Sequence, residues 1–378
     1  MDYSKLIFEQ KKFLNKSFFE DKKRLFLLAS SYSYRQLKKT YVRICNNPDS
    51  KEQFEKLYYI TNGVDSNKIY RFINRLSNII KDYCFFMKNR ISRRLINLQF
   101  SNSPDGYVSA VCIIKNECRY IDEWCCFYKI VGMDHIYIFD NGSEDDTPSV
   151  LNKWIENGFV TVIRFPGKLA QLPAYRLAAK CLKTKYRWVA FIDIDEFMIP
   201  VNPSEDLKRF FQKKEQYPAI GVNWVVYGPD CHEVIPEGLV ISNYLSTFED
   251  RNNILNLRIK TVADPSMVYD ITSPHFCILK NSKYAVDENG HSIDTKWMYL
   301  SNSGPAFTGK NNSSYIRINH YWTKSKEELR NKCNRGYSAS FSPDYEKILA
   351  RLNYPQTKDD IALRYVEDIS NYMNQIND

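Results

Sequence analysis

The chain has no long apolar run. Its longest apolar stretches, such as "LFLLA" and "WVAFI", fall far short of the roughly 18 residues a membrane-crossing helix needs. The opening segment "MDYSKLIFEQKKF" carries no apolar signal region. There is no GxxxxGK[ST], and no GxGxxG follows the first strand, so neither a P-loop nor a dinucleotide fingerprint is present. Ten cysteines form no CxxC pair, which removes the usual zinc and thioredoxin-type motifs. Many of them sit inside apolar stretches, where cysteine acts as a small hydrophobe. That pattern suits a reducing compartment. The expectation is a soluble or peripheral cytoplasmic protein, held at most to the inner face of a membrane. Repeats and low-complexity segments are absent too.

What is present supports a sizeable core: 378 residues, 44% hydrophobic and 15% aromatic, enough for one large domain or two ordinary ones. The net charge of +9 is uneven, because residues 1–100 hold 21 Lys and Arg against 9 Asp and Glu. A basic stretch of this kind suits an anionic neighbour such as phospholipid head groups, a pyrophosphate-linked substrate or nucleic acid. It equally suits helices with solvated basic faces. "YRQLKKTYVRI" and "YRFINRLSNIIKDYCFFMKNRISRRLINL" space apolar residues by three and four, so residues 1–100 read as a helical docking or packing region.

The texture changes at "SNSPDGY". Strand-like "YVSAVCIIK", "HIYIFDN", "FVTVIRF" and "RWVAFIDID" alternate with helical "YIDEWCCFYKIVG", "TPSVLNKWIENG" and "AYRLAAKCLKTK". Such alternation predicts an α/β fold with a mostly parallel sheet and flanking helices. Ligands bind such sheets at the carboxyl ends of the strands. "IIKNE", "FDNGSED" and "IDIDEF" would then share one rim. Residues 200–378 are less regular. The expected division is 1–100, a catalytic domain over 101–345, and a helical extension over 346–378.

"WVAFIDIDEFMIP" places Asp193, Asp195 and Glu196 at the end of an apolar run. Two residues apart on an extended segment, Asp193 and Asp195 would share a face and repel unless a cation lay between them. Mg²⁺ or Mn²⁺ would serve, bridging to phosphate oxygens and stabilising a departing diphosphate. The plain alternative is an exposed turn that happens to be acidic.

"VSAVCIIKNECRYIDEWCCFYKIVGMDHIYIFDNGSEDDT", "RWVAFIDIDEFMIP", "NWVVYG", "SPHF" and "INHYWTKSKEEL", in that order, resemble the family-92 glycosyltransferases, relatives of the family-2-like enzymes of the GT-A fold. The resemblance covers about residues 106–340. It implies a Rossmann-like GT-A domain that transfers a sugar, with inversion, from a nucleotide-sugar to an acceptor hydroxyl. It also implies Mn²⁺ or Mg²⁺ and a UDP-linked donor as the common case. Asp195 matches the metal ligand, and Asp193 the position facing ribose or donor sugar. Asp140 matches the acceptor for the base imide. Lys115, Asn116 and Glu117 match the pocket loop, although Glu117 also reads as a helix-start carboxylate. Gln171 and Tyr175 match the helix beneath the donor; Arg176 departs from the smaller polar residue of relatives.

Among five histidines, His135 opens a strand and reads as structural. His320 is the favoured second metal ligand, His275 its competitor, and either reads equally well as a core residue. Lys324 would neutralise the diphosphate. Inversion needs a base. "YGPDCHE" offers Asp230 first and His232 second, although Pro229-Asp230-Cys231 departs from the small-residue loop of relatives and Gly-Pro-Asp promotes a turn by itself. The expected acceptor is a saccharide or lipid-linked saccharide in surface glycan synthesis, with the basic region against an anionic membrane surface and no nucleic acid as partner. Competing functions are a nucleotidyltransferase or metal-dependent phosphohydrolase, for which "SEDD" would supply a second acidic cluster, and a catalytically silent glycan-binding module.

Overall fold

A computed structural model of the chain describes residues 64–282, 284–293, 307–335 and 344–377. Two compact units divide the chain, Met1–Arg90 and Ile91–Asp378. Of the first, one helix is described, α1 (Val64–Lys88). Most of the basic region expected to dock on a membrane lies outside the described residues. No helix among the described residues is long and apolar enough to cross a membrane.

The second unit starts earlier than residue 101. Helix α2 (Arg93–Asn102) is capped by Ser92, whose Oγ accepts the Leu95 N–H. Ile96 and Phe100, one turn apart, are its buried side chains. Phe100 stacks on Tyr137 at 4.9 Å, and Gln99 donates to the Val162 carbonyl. The helical reading of this segment holds, but its apolar stripe seats it on the sheet and moves the boundary forward.

Strands β1 (Val108–Ile114), β2 (His135–Asp140), β3 (Val160–Arg164) and β4 (Trp188–Phe191) lie parallel in the order β3-β2-β1-β4. They are joined by α3 (Cys118–Ile130), α4 (Thr147–Glu156) and α5 (Gln171–Leu182). β1 is apolar and almost wholly buried, as a strand covered on both faces must be. Pro148 sits in the first turn of α4, and Gly158 follows its end at φ +76°, where a side chain would be strained.

The chain continues through β5 (Glu196–Pro200), α6 (Leu207–Gln212), β6 (Ala219–Val226), α7 (Val240–Asn243), β7 (Ser246–Phe248) and β8 (Ile259–Ala263). A small β9 (Val268–Asp270) and β10 (Ile278–Leu279) hairpin precedes β11 (Ile316–His320) and α8 (Lys326–Arg335). The eight-stranded sheet extends from β4 as β8-β6-β11-β5. β8 is antiparallel to both β4 and β6, β11 is parallel to β6, and β5 is antiparallel to β11. The reversed β8 restores the direction of β4 in β6 and β11. The carboxyl ends of β1, β2, β4, β6 and β11 therefore share one rim with the amino end of β5.

Residues 346–377 are no appendage. After α9 (Tyr345–Leu352), β12 (Gln356–Lys358) pairs with β7, and α10 (Val366–Asn377) buries Ile369 and stacks Tyr372 on Trp154. Arg317 on β11 grips Asp359 through both terminal nitrogens, at 2.9 and 2.5 Å, and Arg251 adds a third contact. Burial alone would raise the Asp359 carboxyl, but the two arginines hold it below the usual carboxylate range. A depressed value means stability that is present above the unfolded carboxylate's pKa and lost as pH falls through the folded one. Asp359→Asn is expected to cost about 3–5 kcal/mol at neutral pH and to flatten the acid limb of the stability profile. Urea titrations from neutral to acid pH check this; an unchanged midpoint at neutral pH would show that the pair does not secure this segment.

Candidate active site

The loop after β1 and the loop after β2 are laced together. The Asn116 N–H donates to Ser143 Oγ (3.0 Å), and Asn116 Oδ1 accepts the Glu144 N–H (2.8 Å). Asn116 adopts φ +57°, which asparagine tolerates better than most residues. The Glu117 N–H donates to Thr147 Oγ1 (2.9 Å), and Lys115 lies 3.4 Å from Glu144. Asp140, at the tip of β2, accepts the Ser143 N–H through Oδ1 (2.9 Å). Asp145 accepts the Cys118 and Thr147 N–H groups (3.3 and 3.0 Å), the first-turn amides of α3 and α4. Within the acidic "SEDD", Asp145 thus bridges the first turns of two helices.

The Asp193–Asp195 segment is not the end of a strand. β4 stops at Phe191, and a turn closed by the Glu196 N–H on the Asp193 carbonyl (3.1 Å) carries the chain to β5. Ile192 and Ile194 are both buried, so the apolar pattern continues where the backbone bends. The two-residue parity of a strand does not apply in a turn, and the carboxylates take different partners. Asp193 Oδ2 meets Lys260 Nζ at 2.6 Å, while Oδ1 accepts Gln171 Nε2 (2.8 Å) and Tyr175 OH (3.2 Å). Asp195 Oδ2 meets Lys332 Nζ at 2.7 Å, and Oδ1 lies 3.5 Å from His320 Nε2. Glu196 accepts the Asp193 N–H (2.8 Å) and lies 3.4 Å from Lys260; its Oε1 is buried with no hydrogen-bond partner.

The electrostatics follow from burial and these partners. Desolvation would raise the Asp195 carboxyl, but Lys332 and His320 hold it well below the ordinary range. Burial raises Glu196 well above it, against the pull of Lys260. Burial would lower Lys260, yet Asp193 and Glu196 reverse this and raise it.

Of the residues singled out from the sequence, Gln171 and Tyr175 meet Asp193, and His320 lies beside Asp195. His275 and His320 flank the Trp224 ring at 5.1 and 4.2 Å, and each keeps a buried Nδ1 with no partner. Only His320 reaches a carboxylate of the turn. Burial lowers both histidines, His275 further because Lys260 and Arg258 add to it. His135 is structural: it contacts Thr161 Oγ1 (2.8 Å) and the Gly158 carbonyl (3.1 Å), and burial lowers it to about 4. Arg176 donates to the Ile271 carbonyl at 2.7 Å.

Two expected residues, Lys324 and Asp230, have other work. Lys324, at φ +50°, lies over the Tyr120 ring at 3.9 Å, where Tyr120 and Tyr244 donate to Glu328. Asp230 accepts Ser246 Oγ (2.6 Å), Lys358 Nζ (2.5 Å) and the Leu245 N–H (2.8 Å). Burial would raise its carboxyl, but Lys358, Ser246 and Leu245 lower it, which suits an anchor of the 228–246 loop rather than a proton acceptor. His232 Nε2 contacts the Asn243 carbonyl at 3.1 Å.

Lys260 and Lys332 are the site residues that sequence reasoning missed. Lys260 could have been found as the one charge inside "IKTVA", a run that is buried throughout. Lys332 had no signal, standing among the many charges of "KSKEELRNK". A surface concavity of about 380 Å³, lined by Asn202, Ser204, Glu205, Arg209, Gln212 and Lys213, lies past the opposite end of β5 and touches none of this group.

Asp193 and Asp195 take separate partners rather than facing one gap; Asp195, 3.5 Å from His320, is the carboxylate that could hold an ion shared with phosphate oxygens. A lysine already faces each carboxylate, and among the described residues no three Asp, Glu, His or Cys side chains converge as a metal seat. His320 also lacks the second hydrogen bond that normally orients a metal-bound imidazole.

The sequence profile described as Glycosyltransferase family 92 matches residues 107–335. A glycosyltransferase family 92 protein of Oryza sativa subsp. japonica is 25% identical over 193 residues, covering 50% of this chain and 33% of that protein. One from Ricinus communis is 27% identical over 136 residues, covering 35% of this chain and 25% of that protein. The chain thus spans a third or less of the length of these relatives. Among solved structures, S. aureus TarS 1-349 in complex with UDP aligns at a TM-score of 0.31 and 15% identity, over 43% of this chain and 48% of that one.

Proposed function

Because the chain belongs to glycosyltransferase family 92, we propose that it moves a sugar from a nucleotide-sugar, UDP-linked, to a hydroxyl of a saccharide or lipid-linked saccharide, inverting the anomeric carbon. The observation that carries this reading is the convergence, on one sheet rim, of polar groups from β1 to α8, the stretch the family profile covers. Asp193 stands at its centre, one-third exposed and fixed by Lys260, Gln171 and Tyr175.

In this reading the acceptor oxygen attacks the anomeric carbon as the bond to the diphosphate oxygen breaks, and a base takes the acceptor proton. Asp140 commits Oδ1 to its own loop, which leaves Oδ2 to accept an imide N–H. Asp193 and Gln171 suit ribose or sugar hydroxyls. With Asp230 engaged as an anchor, His232 is the better base: its Nε2–H on the Asn243 carbonyl leaves Nδ1 as the acceptor nitrogen. No step here runs through a metal ion.

The test is UDP release from UDP-glucose, UDP-galactose and UDP-N-acetylhexosamines incubated with the purified chain. Slow consumption of one donor without acceptor is expected. Absence of release from every donor, with and without divalent cations, would remove the reading.

A further inference from the structure

Arg258 stands immediately before β8. Its carbonyl accepts the Trp224 N–H (2.9 Å), so it continues the ladder between β8 and β6. β8 runs against both β4 and β6, which places this residue at the rim where their carboxyl ends lie. Residues two apart on an extended segment share a face, so Arg258 lies on the face of Lys260, the partner of Asp193. Trp224 links Arg258 to the turn. Its ring centroid is 5.7 Å from the guanidinium carbon and 4.2 Å from the centroid of His320, the neighbour of Asp195.

Arg258 is half-buried, yet its guanidinium meets rings rather than oxygens: Trp224 and Phe307, each at 5.7 Å, with Nε buried and without a hydrogen-bond partner. Among the described residues no carboxylate pairs with it. Burial and the neighbouring Arg351 both lower its pKa, and nothing acts to raise it. Arg251, Arg187 and Arg364, half-buried too, each reach an oxygen: Asp359, the Tyr217 carbonyl and the Val201 carbonyl. A cation taken partly out of water without a counter-charge is costly. A second cation beside it adds repulsion. That second cation, Arg351, is exposed in the last turn of α9. An anion would relieve both costs, and the guanidinium fork matches the paired oxygens of a phosphate or carboxylate.

The position says which ligand bears that anion. In the nucleotide-sugar reading, Asp140 at the tip of β2 takes the base and Asp193 takes ribose or sugar hydroxyls. The strand order β2-β1-β4-β8-β6 puts Arg258 on the far side of β4 from Asp140, past the nucleotide. We infer that the saccharide receiving the sugar is anionic, and that Arg258, with Arg351, binds its phosphate or carboxylate beside the Asp193–Asp195 turn. This rests on the nucleotide-sugar reading above and adds the charge of the receiving substrate.

Calorimetry with the full chain in saturating UDP and Mg²⁺, which fills the diphosphate site, tests this with glucose 6-phosphate, glucuronate and glucose. One of the two anionic sugars is expected to bind at least about tenfold more tightly than glucose, and which one does so separates phosphate from carboxylate. Arg258→Gln should weaken that sugar by about tenfold or more, as loss of a charge-assisted contact does, and leave UDP affinity within about twofold. Arg258→Lys, which keeps the charge without the fork, should fall between. No preference for either anionic sugar over glucose would overturn the inference and leave the glycosyltransferase reading standing. An equal loss of UDP in Arg258→Gln would do the same, by giving Arg258 to the donor diphosphate. Failure of UDP to bind with or without divalent cations would remove the nucleotide-sugar reading, and the inference with it. The comparison of anionic with neutral sugars uses the unaltered chain, so it decides even where a variant fails to fold.

Discussion

Replacing Lys260 with methionine is expected to destabilise the Ile91–Asp378 unit by about 3–5 kcal/mol, the range for removing one partner of a buried ion pair. The stem of the lysine is matched in volume, so the loss is electrostatic rather than a cavity. Lys260 Nζ is fully buried, 2.6 Å from Asp193 and 3.4 Å from Glu196. Without it, Glu196 stands beside the Asp193 side chain with no cation between them, in a setting that already raises Glu196 by burial. The sign with pH follows. Carboxylates raised above their unfolded values give stability that is present in acid and lost as pH rises through the folded values. The deficit of Lys260→Met should therefore shrink toward acid pH, and Lys260→Met with Glu196→Gln should recover part of it at neutral pH. Urea midpoints across pH measure both. A variant as stable as the original at neutral pH would mean that Lys260 does not neutralise the turn.

The same pair marks how far the sequence can be read. Local signals were sufficient for β1, β2, α4 and α5, because each is set by neighbours a few residues away: an apolar run, Pro148 in a first turn, Gly158 past an end. The rim itself was legible for the same reason, since parallel strands joined by helices must align their carboxyl ends. The site's charges were not. Asp193 meets Lys260 across 67 residues and Asp195 meets Lys332 across 137, and nothing local reports such a contact. The turn at 193–195 was hidden by Ile192 and Ile194, whose burial extends the apolar pattern through a change of direction. Asp230 misled for a related reason. Its loop looks catalytic in composition, yet its partner Lys358 lies 128 residues on, on a strand the sequence presents as part of a helical tail.

Asp195→Asn is expected to lower donor turnover by about 10²–10³-fold, the range for losing one preorganised group that stabilises charge in a transition state. The substitution keeps the shape of the side chain but removes the charge that fixes the Lys332 ammonium. The fold should suffer less than in Lys260→Met, because Lys332 is partly exposed and can be rehydrated, whereas Lys260 cannot. The two substitutions therefore separate: one chiefly unfolds, the other chiefly slows. Charge grows on the diphosphate as its bond to the sugar breaks, so the loss belongs in kcat more than in the donor KM. If Asp195 acts through Lys332, the double variant Asp195→Asn with Lys332→Gln should be little slower than Lys332→Gln alone, since both remove one contact. Multiplicative losses would give Asp195 a separate role in the reaction, and undiminished turnover in Asp195→Asn would exclude the turn from the chemistry altogether.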